Sequence, residues 1–528
     1  MRIATRRPVW RDGPDNGWHD ELIWYAAAIH RMRALTPGLD DFFEAFVRAW
    51  PDFEAPLVAP MAEIARRWDD PRSLGYQSQV HGTFVPPSRR PAGALWQECA
   101  HNHWFFLPWH RAYLLEFEAV VREHIRELGG PADDWALPYW NYSDDPATAH
   151  SRGLPLPLQG DTLPDGVEVP GVDAGADGRF PNPLFIPLRL GPDPTAPGTQ
   201  QWADASTALL RPHYANQQDT ANVSFAGGVI EQANDQQQWH GMAQEMGMVD
   251  AQPHGSVHGA VNGAMALFET AGLDPVFWLH HCNVDRLWET YAHDLGHGYP
   301  FENGVAVGTK AHESWKTHVF RFLRPDRSTA EWTAPQLLDV STLGHVYDTT
   351  APPPLPSPSP VPGSEDDPIG LTVPDPQPIA EAGPLPLAEQ QDVAVTGGGA
   401  TDQGVGVAAF GGTTATWLLR FEGIRSARPA ATSYRVYLGL APGEPADSDD
   451  ADHYAGLLSL FGVFEASRDD GSSAGSGQRR VLDVTALVAA QQRTLRPLAT
   501  SVRLVPLDPD RDLTGMRLTI DRISLDVA

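Results

Sequence analysis

The residues that could do chemistry are concentrated in a few short stretches rich in histidine and aromatic side chains. The first stretch holds His101 and His110, nine positions apart, with five apolar residues at 105–109 directly before His110. Pro108 can begin a helix without losing a hydrogen bond, so we expect a helix over 109–128 that ends at a Gly-Gly pair. Two imidazoles supplied from a loop and a helix, and walled by aromatic rings, suit a dry metal pocket.

The second stretch adds His254 and His258, four residues apart, and then His281 in another apolar segment. An i, i+4 pair lies on one helix face, so both rings can contact the same ion. Neutral imidazoles without a carboxylate suit copper or zinc, and a hydrolytic zinc site generally includes Asp, Glu or Cys ligands. The pattern therefore favours two facing histidine sites, which can hold metal ions roughly 4 Å apart and supply two electrons to O2 together.

The two stretches resemble, in order and spacing, the motifs of the type-3 copper proteins: tyrosinases, catechol oxidases and haemocyanins. The matching segments are CAHNHWFFLPWHRAYLLEFE at 99–118, HGSVH at 254–258 and DPVFWLHHCNVDRLW at 274–288. The resemblance implies two copper ions as the cofactor, each held by three histidines. The implied ligands are His81, His101 and His110 for the first ion and His254, His258 and His281 for the second.

Two neighbours of these ligands carry further expectations. The Cys-x-His spacing of Cys99 and His101 is similar to that of fungal tyrosinases and molluscan haemocyanins, so the resemblance implies a thioether between this cysteine and the histidine ring. The alternative is a buried free thiol. His280 directly precedes His281, and since successive helix residues diverge by about 100°, we expect His280 to face away from the metal as a packing or supporting residue.

Three other positions match family residues that act near the substrate. Glu245 has the offset of the glutamate that holds a water near the second copper, and this water can accept a phenol proton. Gly255 stands where tyrosinases that hydroxylate monophenols commonly carry Asn, and Gly259 also lacks a side chain, so we expect an open mouth beside the second copper. Phe268 aligns with the residue that overhangs the first copper and can stack on an incoming ring. For Glu245 and Phe268 the alternatives are an ordinary surface residue and an ordinary core residue.

These features favour a catechol oxidase that converts o-diphenols to o-quinones with O2. Since a phenol with a pKa near 10 needs more help with deprotonation than a catechol, Gly255 argues against strong monophenol hydroxylation. A tyrosinase and an o-aminophenol oxidase remain alternatives, and a haemocyanin-like O2 carrier is the alternative of another class. The single copper unit disfavours the carrier, and a structural protein would require the histidine pattern to be coincidental.

The elements around the second motif give local expectations. Asp274 and Pro275 form a favourable N-cap and first position for the helix that carries His281. Asp285, one turn later, either pairs with an arginine such as Arg286 or supports the ligands. Further along, LGHVYD at 343–348 resembles the tyrosine motif that closes the family's copper domain.

Composition excludes several classes of function. The 528 residues include 38 basic and 67 acidic ones, and the formal charge of −29 disfavours nucleic acid and anionic membranes as partners. Two cysteines provide no disulfide framework, and no apolar run approaches the roughly 18 residues of a membrane span. The N-terminus shows no apolar signal region, which favours the cytoplasm. O2 and small phenols are the expected partners, and the oligomeric state stays open.

Sequence patterns divide the chain into three parts. Residues 1–350 combine helical periodicity with long loops, which predicts a mainly α copper-binding domain built as a helical bundle. Residues 351–390 contain 13 of the 49 prolines and predict a linker. Residues 391–528 alternate with period two, which predicts a C-terminal β-sandwich. This last part resembles the β-domain of plant polyphenol oxidases, which implies a lid over the copper site that proteolysis of the linker would release.

Overall fold

The protein is described from a computed structural model. The described residues are 3–10, 17–50, 55–144, 152–187, 189, 202–215, 224–234, 239, 246–301, 305–355, 377–382, 385–387, 391–394, 417–428, 433–441, 443–446, 452–468, 475–493, 501–506 and 516–527. In this part of the chain, no helix combines the length and the apolar character needed to cross a membrane.

The chain up to residue 350 is mainly helical, which confirms the predicted fold class. Its helices are Asp20–Ala34 (α1), Leu39–Ala49 (α2), Ala55–Ala65 (α3), Leu74–His81 (α4), Phe106–Glu127 (α5), Ser206–Leu209 (α6), Ser256–Val261 (α7), Phe268–Ala271 (α8), Pro275–Glu289 (α9) and Lys310–Thr317 (α10). Its strands are Ala4–Arg6 (β1), Phe320–Leu323 (β2), Thr329–Trp332 (β3) and His345–Tyr347 (β4). Strand β1 pairs in parallel with β4, so the two ends of the helical part are joined.

Helix α5 begins three residues before the predicted start and ends close to the predicted end. Phe105 is its N-cap, and Pro108 occupies the third helical position instead of the first. Proline is tolerated there because the first N–H groups of a helix have no intrahelical acceptor. At the other end, Gly129 takes a positive φ of 77°, a conformation that favours glycine.

Helix α9 begins as predicted and packs against α5. The Asp274 side chain accepts a hydrogen bond from the Val276 N–H at 2.9 Å, and Pro275 is the first helical residue. The rings of Phe117 on α5 and Trp278 on α9 stack with centroids 3.4 Å apart. This packing fixes the two helices that carry His110 and His281 relative to each other.

A buried ionic network joins the N-terminal strand to α5 and α9. The Arg6 guanidinium donates to Asp285 Oδ2 at 3.2 Å and to Glu118 Oε2 at 3.1 Å. Arg111 donates to the second Asp285 oxygen at 2.5 Å and to Glu289 at 2.6 Å. All these side chains are at most 6% exposed, so each charge depends on its partner.

The structure confirms the predicted pairing of Asp285 with an arginine, but the partner is not Arg286. Asp285 binds Arg6 and Arg111 instead, and it also accepts a hydrogen bond from the Tyr347 hydroxyl at 2.6 Å. Arg286 pairs with Asp144 at 2.9 Å. Adjacent helix residues diverge by about 100°, so Arg286 points away from the face that Asp285 occupies.

The C-terminal part consists of antiparallel sheets. Its strands are Gln377–Ala382 (β5), Leu385–Leu387 (β6), Gln391–Ala394 (β7), Trp417–Ile424 (β8), Tyr434–Leu438 (β9), Tyr454–Leu458 (β10), Gln478–Asp483 (β11), Ser501–Pro506 (β12), Leu518–Ile520 (β13) and Arg522–Val527 (β14); its helices are Val463–Ser467 (α11) and Thr485–Arg493 (α12). Two four-stranded sheets have the orders β10-β9-β12-β7 and β11-β8-β14-β5. Buried residues of both sheets form one apolar cluster, as in a β-sandwich.

The predicted linker over 351–390 is wrong at its C-terminal end, because β5 and β6 lie within it. Strand β5 pairs only with β14, at the edge of a sheet, and β6 pairs only with β13. Edge strands tolerate proline, whose missing N–H would interrupt a central strand. Pro378 and Pro386 stand in these two strands, so proline content alone overstated the linker. Residues 356–376 lie outside the described part.

Replacing Arg6 with Met should lower the free energy of unfolding by about 3 kcal/mol, because Glu118 and Asp285 would keep buried charges without this partner. Urea denaturation measures the change. Arg321, which makes an exposed ion pair with Glu331, is the control, and Arg321→Met should cost less than about 1 kcal/mol. Equal effects of the two substitutions would contradict a supporting role for the network.

Candidate metal centre

The six implied ligands lie in six different segments and converge in one buried cluster. They are His81 at the end of α4, His101 in the loop before α5, His110 in α5, His254 in the irregular turn Asp250–Gly255, His258 in α7 and His281 in α9. Each of these side chains is at most 4% exposed. The structure therefore brings together residues that are up to 200 positions apart in the sequence.

The first three rings form a compact group. The centroids of His81 and His101 are 5.2 Å apart, those of His101 and His110 are 5.0 Å apart, and those of His81 and His110 are 5.8 Å apart. These are the three residues that the resemblance implies for the first copper, and His281 lies equally close, since its nearest ring nitrogen is within 4.8 Å of those of His81 and His110.

The other three rings form a second group that faces the first. His254 lies 4.6 Å from His258 and 4.9 Å from His281, measured between ring centroids. Between the groups, the His110 and His281 rings stack almost in parallel with centroids 4.4 Å apart. The two groups are thus close enough to hold a pair of ions that act together.

The rings are held in the form that binds metals. Burial lowers the pKa of His81 to about 3 and holds the pKa values of His101, His110, His258 and His281 well below the usual range. These five imidazoles are therefore neutral at pH 7. The Nε2 atoms of all six rings are buried without a hydrogen-bond partner. Because buried polar atoms are normally paired, these nitrogens fit metal coordination.

In most of these rings the other nitrogen, Nδ1, contacts a hydrogen-bond acceptor that fixes the ring. The acceptors are the backbone carbonyls of Phe268 for His81 at 2.9 Å, Phe106 for His110 at 2.8 Å and Met265 for His258 at 2.6 Å. A proton on Nδ1 leaves the Nε2 lone pair free for a metal. These contacts orient three ligands through the backbone.

His254 differs because its Nδ1 lies 3.0 Å from the carboxylate Oδ1 of Asp250. Sequence reasoning missed Asp250. The available signal was an acidic residue four positions before a ligand histidine, a spacing that places the two side chains on one face of a helical turn.

Cys99 lies where the implied cross-link needs it. Its Sγ and the nearest ring nitrogens of His81 and His101 all lie within 4.8 Å of one another. The thiol is buried, and burial raises its pKa well above the usual range.

His280 departs from the expectation that it faces away. Its ring lies 5.3 Å from His254 and 5.1 Å from His258 between centroids, and its Nε2 is buried without a partner. The His280 and His281 rings diverge, but the His254 ring lies close to both. The Nδ1 of His280 contacts the Tyr142 hydroxyl at 2.9 Å, which fixes this ring beside the second group.

Of the three predicted residues near the substrate, the structure describes Phe268 and Gly255. The Phe268 ring stacks on His101 with centroids 4.6 Å apart and an interplanar angle of 15°, and it meets His81 at 5.6 Å. It thus lies over the first group. Glu245 lies outside the described residues.

The expectation of an open mouth beside the second group is wrong. A Cβ atom at Gly255 would lie 3.0 Å from Ser459 Oγ, and one at Gly259 would lie 2.6 Å from Ser433 Oγ. Both serines belong to the C-terminal part, which covers the glycines. Sequence reasoning treated the missing side chains as free space because the distant segment that fills it carries no recognisable motif.

Phe461 completes this cover, and sequence reasoning did not identify it. Its ring stacks on His258 with centroids 3.9 Å apart and an interplanar angle of 13°. It also meets Phe268 at 4.8 Å and His254 at 5.6 Å. Phe461 is 4% exposed and therefore fills the space between the two groups of rings and the C-terminal sheets.

Arg480 fixes the segment that carries Phe461. Its guanidinium donates to the Phe461 carbonyl at 2.8 Å and to the Ser459 carbonyl at 3.2 Å. Burial lowers the pKa of Arg480 to about 10, and attraction to Asp250 opposes that shift. The group therefore stays charged at pH 7 and binds both carbonyls strongly.

Comparisons with known proteins agree with this geometry. The family described as the common central domain of tyrosinase matches residues 71–294, and a domain of unknown function, DUF7868, matches residues 388–527. Tyrosinase HcTyr1 from Hahella sp. is 28% identical over 527 residues, and the alignment covers 96% of each chain. The chloroplastic polyphenol oxidase of Malus domestica is 26% identical over 291 residues, or 53% of this chain and 43% of that protein. The chain thus spans less than half of this plant relative.

A solved structure of a latent aurone synthase (polyphenol oxidase) superposes with a TM-score of 0.56 at 19% identity, covering 100% of this chain and 90% of that one. This likeness shows a shared fold over the helical and the β-rich parts. The matched tyrosinase segment contains all six clustered histidines. Residues 71–294 therefore form a tyrosinase-family domain, and the relatives that match this segment are named tyrosinase and polyphenol oxidase.

Proposed function

We propose that the chain is a copper-dependent o-diphenol oxidase that converts two catechols to o-quinones while one O2 becomes two waters. The observation that carries this proposal is the pair of facing imidazole groups, each with three Nε2 atoms free for a metal. His81, His101 and His110 would hold one copper ion, and His254, His258 and His281 the other. The copper pair supplies the binding and reduction of O2.

The surrounding side chains suit a flat aromatic substrate. Phe461 stacks on His258 at 3.9 Å, which indicates that an aromatic ring fits against this imidazole. We infer that a catechol takes this place when Phe461 leaves, with Phe268 limiting its approach on the side of His101. Glu245 would hold the water that receives a catechol proton, whereas Gly255 offers no side-chain acceptor.

A tyrosinase that also hydroxylates monophenols is the second candidate. The relative from Hahella sp., which aligns over 96% of both chains, is named a tyrosinase. The missing acceptor at Gly255 favours the diphenol oxidase, because the phenol proton is then harder to remove. The two functions differ in whether a monophenol is a substrate.

We further propose that the C-terminal part is a lid that keeps the enzyme latent. Phe461 occupies the substrate position, and Ser459 and Ser433 contact the space above Gly255 and Gly259. Arg480 holds the plugging segment in place. Two polar contacts fasten the lid nearby: Arg468 to Glu269 at 2.8 Å, and the Phe268 N–H to Glu465 at 3.4 Å.

The copper-loaded protein should oxidise 4-tert-butylcatechol with a kcat/KM at least about tenfold above that for 4-tert-butylphenol, a difference of about 1.4 kcal/mol in activation free energy. O2 uptake and quinone absorbance measure both reactions, with the metal-free protein as the control. Comparable values for the two substrates would establish the tyrosinase, whereas reversible O2 binding without quinone would identify a carrier.

Phe461→Ala should raise kcat/KM for the catechol by about tenfold or more, because the substrate would no longer compete with a buried ring. Trp417 is the control, since it is a half-buried aromatic residue that packs against the apolar cluster of the C-terminal sheets. Trp417→Ala should leave kcat/KM within about twofold of the wild type. Unchanged activity of Phe461→Ala would contradict the lid.

Mass spectrometry of the copper-matured protein should show the peptide that contains Cys99 and His101 lighter by two hydrogen atoms. Formation of the thioether removes one hydrogen from the thiol and one from the ring, and O2 would accept both hydrogens and become hydrogen peroxide. The Cys99→Ser variant is the control and should show the full mass. A free, alkylatable Cys99 in active protein would refute the cross-link.

A further inference from the structure

Asp250 differs in charge from the other groups that accept a hydrogen bond from the six rings. Within the part of the chain that the structure describes, it supplies the one carboxylate that bonds to a ring of the set, through Oδ1 and His254 Nδ1 at 3.0 Å. Its other oxygen, Oδ2, accepts a hydrogen bond from the Asn102 N–H at 2.7 Å. Asp250 is 1% exposed, so both contacts are shielded from water and correspondingly strong.

We propose that Asp250 is a positioning residue that makes His254 the strongest electron donor of the six ligands and thereby strengthens binding of the second metal ion. The proposal rests on the proposed function, because it requires a metal pair on the two imidazole groups. It predicts that the two sites differ in their affinity for a metal ion, although each has three histidine ligands.

This difference follows from the acceptor chemistry. His81, His110 and His258 direct Nδ1 to neutral backbone carbonyls alone, whereas His254 directs it to the Asp250 carboxylate at 3.0 Å as well as to the Asp250 backbone carbonyl at 3.1 Å. A charged acceptor forms a stronger hydrogen bond than a neutral one. The carboxylate also draws the Nδ1 proton, which raises electron density at Nε2 and with it the basicity of the ligand.

Asp250 acts on the metal through His254 and not as a ligand itself. Although it lies with His101 and His254 in a group whose ligand atoms are within 4.8 Å, both of its oxygens are engaged by N–H groups. The Asn102 N–H is a fixed donor, and Asn102 has a positive φ of 62° that this hydrogen bond helps to hold. Asp250 therefore also joins the two copper motifs, which are 148 residues apart at this contact.

Replacing the Asp250 carboxylate with an amide separates its contact with Asn102 from its contact with His254. Asn has one acceptor oxygen for the two N–H donors. The backbone donor of Asn102 cannot lose its proton, whereas His254 can carry its proton on Nε2 instead. In Asp250→Asn the amide oxygen is therefore expected to bind Asn102, and its NH2 group to face His254. The Nδ1 proton would then keep only the neutral backbone carbonyl of residue 250 as its acceptor, and without the carboxylate the Nε2 atom would be a weaker ligand.

The test is a metal-binding measurement on full-length metal-free protein, titrated with Zn2+ in a calorimeter and, separately, with copper against a graded chelator. The wild type should bind two ions. Asp250→Asn should bind one of them about 10- to 100-fold more weakly, with the other changed less than about threefold. Asp250→Glu restores a carboxylate and should bind the affected ion more tightly than Asp250→Asn does.

Asp526→Asn is the matched control, since Asp526 is also buried and pairs with Arg420 at 2.8 Å in the C-terminal sheets. It should bind both ions as the wild type does. Wild-type affinity in Asp250→Asn, or equal weakening of both ions, would overturn the proposal. If Asp250→Asn does not fold, the same two outcomes in Asp250→Glu would overturn it. A wild type that binds fewer than two ions would instead refute the proposed function.

Discussion

The structure depends on the burial of six imidazole rings whose Nε2 atoms have no hydrogen-bond partner. Each buried nitrogen without a partner costs about 1–3 kcal/mol, and burial disfavours the protonated rings that would otherwise relieve this. The aromatic rings of Phe106, Phe268 and Phe277 surround the cluster and exclude water. A metal would satisfy the nitrogens, so the free energy of metal binding adds to that of folding.

The fold tolerates this cost in free energy because contacts outside the cluster hold the helices around it. Arg6 and Arg111 bring the N-terminal strand and α5 onto Asp285 in α9, one turn beyond His281. The same helices present His110 and His281 to each other at 4.4 Å. The ionic network and the packed helices thus keep the unpaired nitrogens buried. In a loop without such contacts, the same nitrogens would turn toward water.

The spacing of residues in the sequence predicted the features that depend on neighbouring residues. The helices and the N-cap at Asp274 followed from short-range pattern, whereas the convergence of the six histidines was implied by the family resemblance, and for His81 no local motif supported it. The errors have tertiary causes. Asp285 found its arginines far along the chain, and strand pairing at the sheet edges claimed part of a proline-rich segment. The covering position of Phe461 could not be predicted, because its contact with His258 depends on how the helical part and the C-terminal part pack against each other.

The glycines that follow the second-site histidines have a consequence for how the two parts of the chain fit together. Gly255 and Gly259 leave room for Ser459 and Ser433, and even one added carbon would press on a hydroxyl. A side chain at position 255 would therefore have to share this space with Ser459, some two hundred residues downstream. Any change of residue next to the second-site histidines is thus coupled, through this contact, to how closely the C-terminal part lies over them.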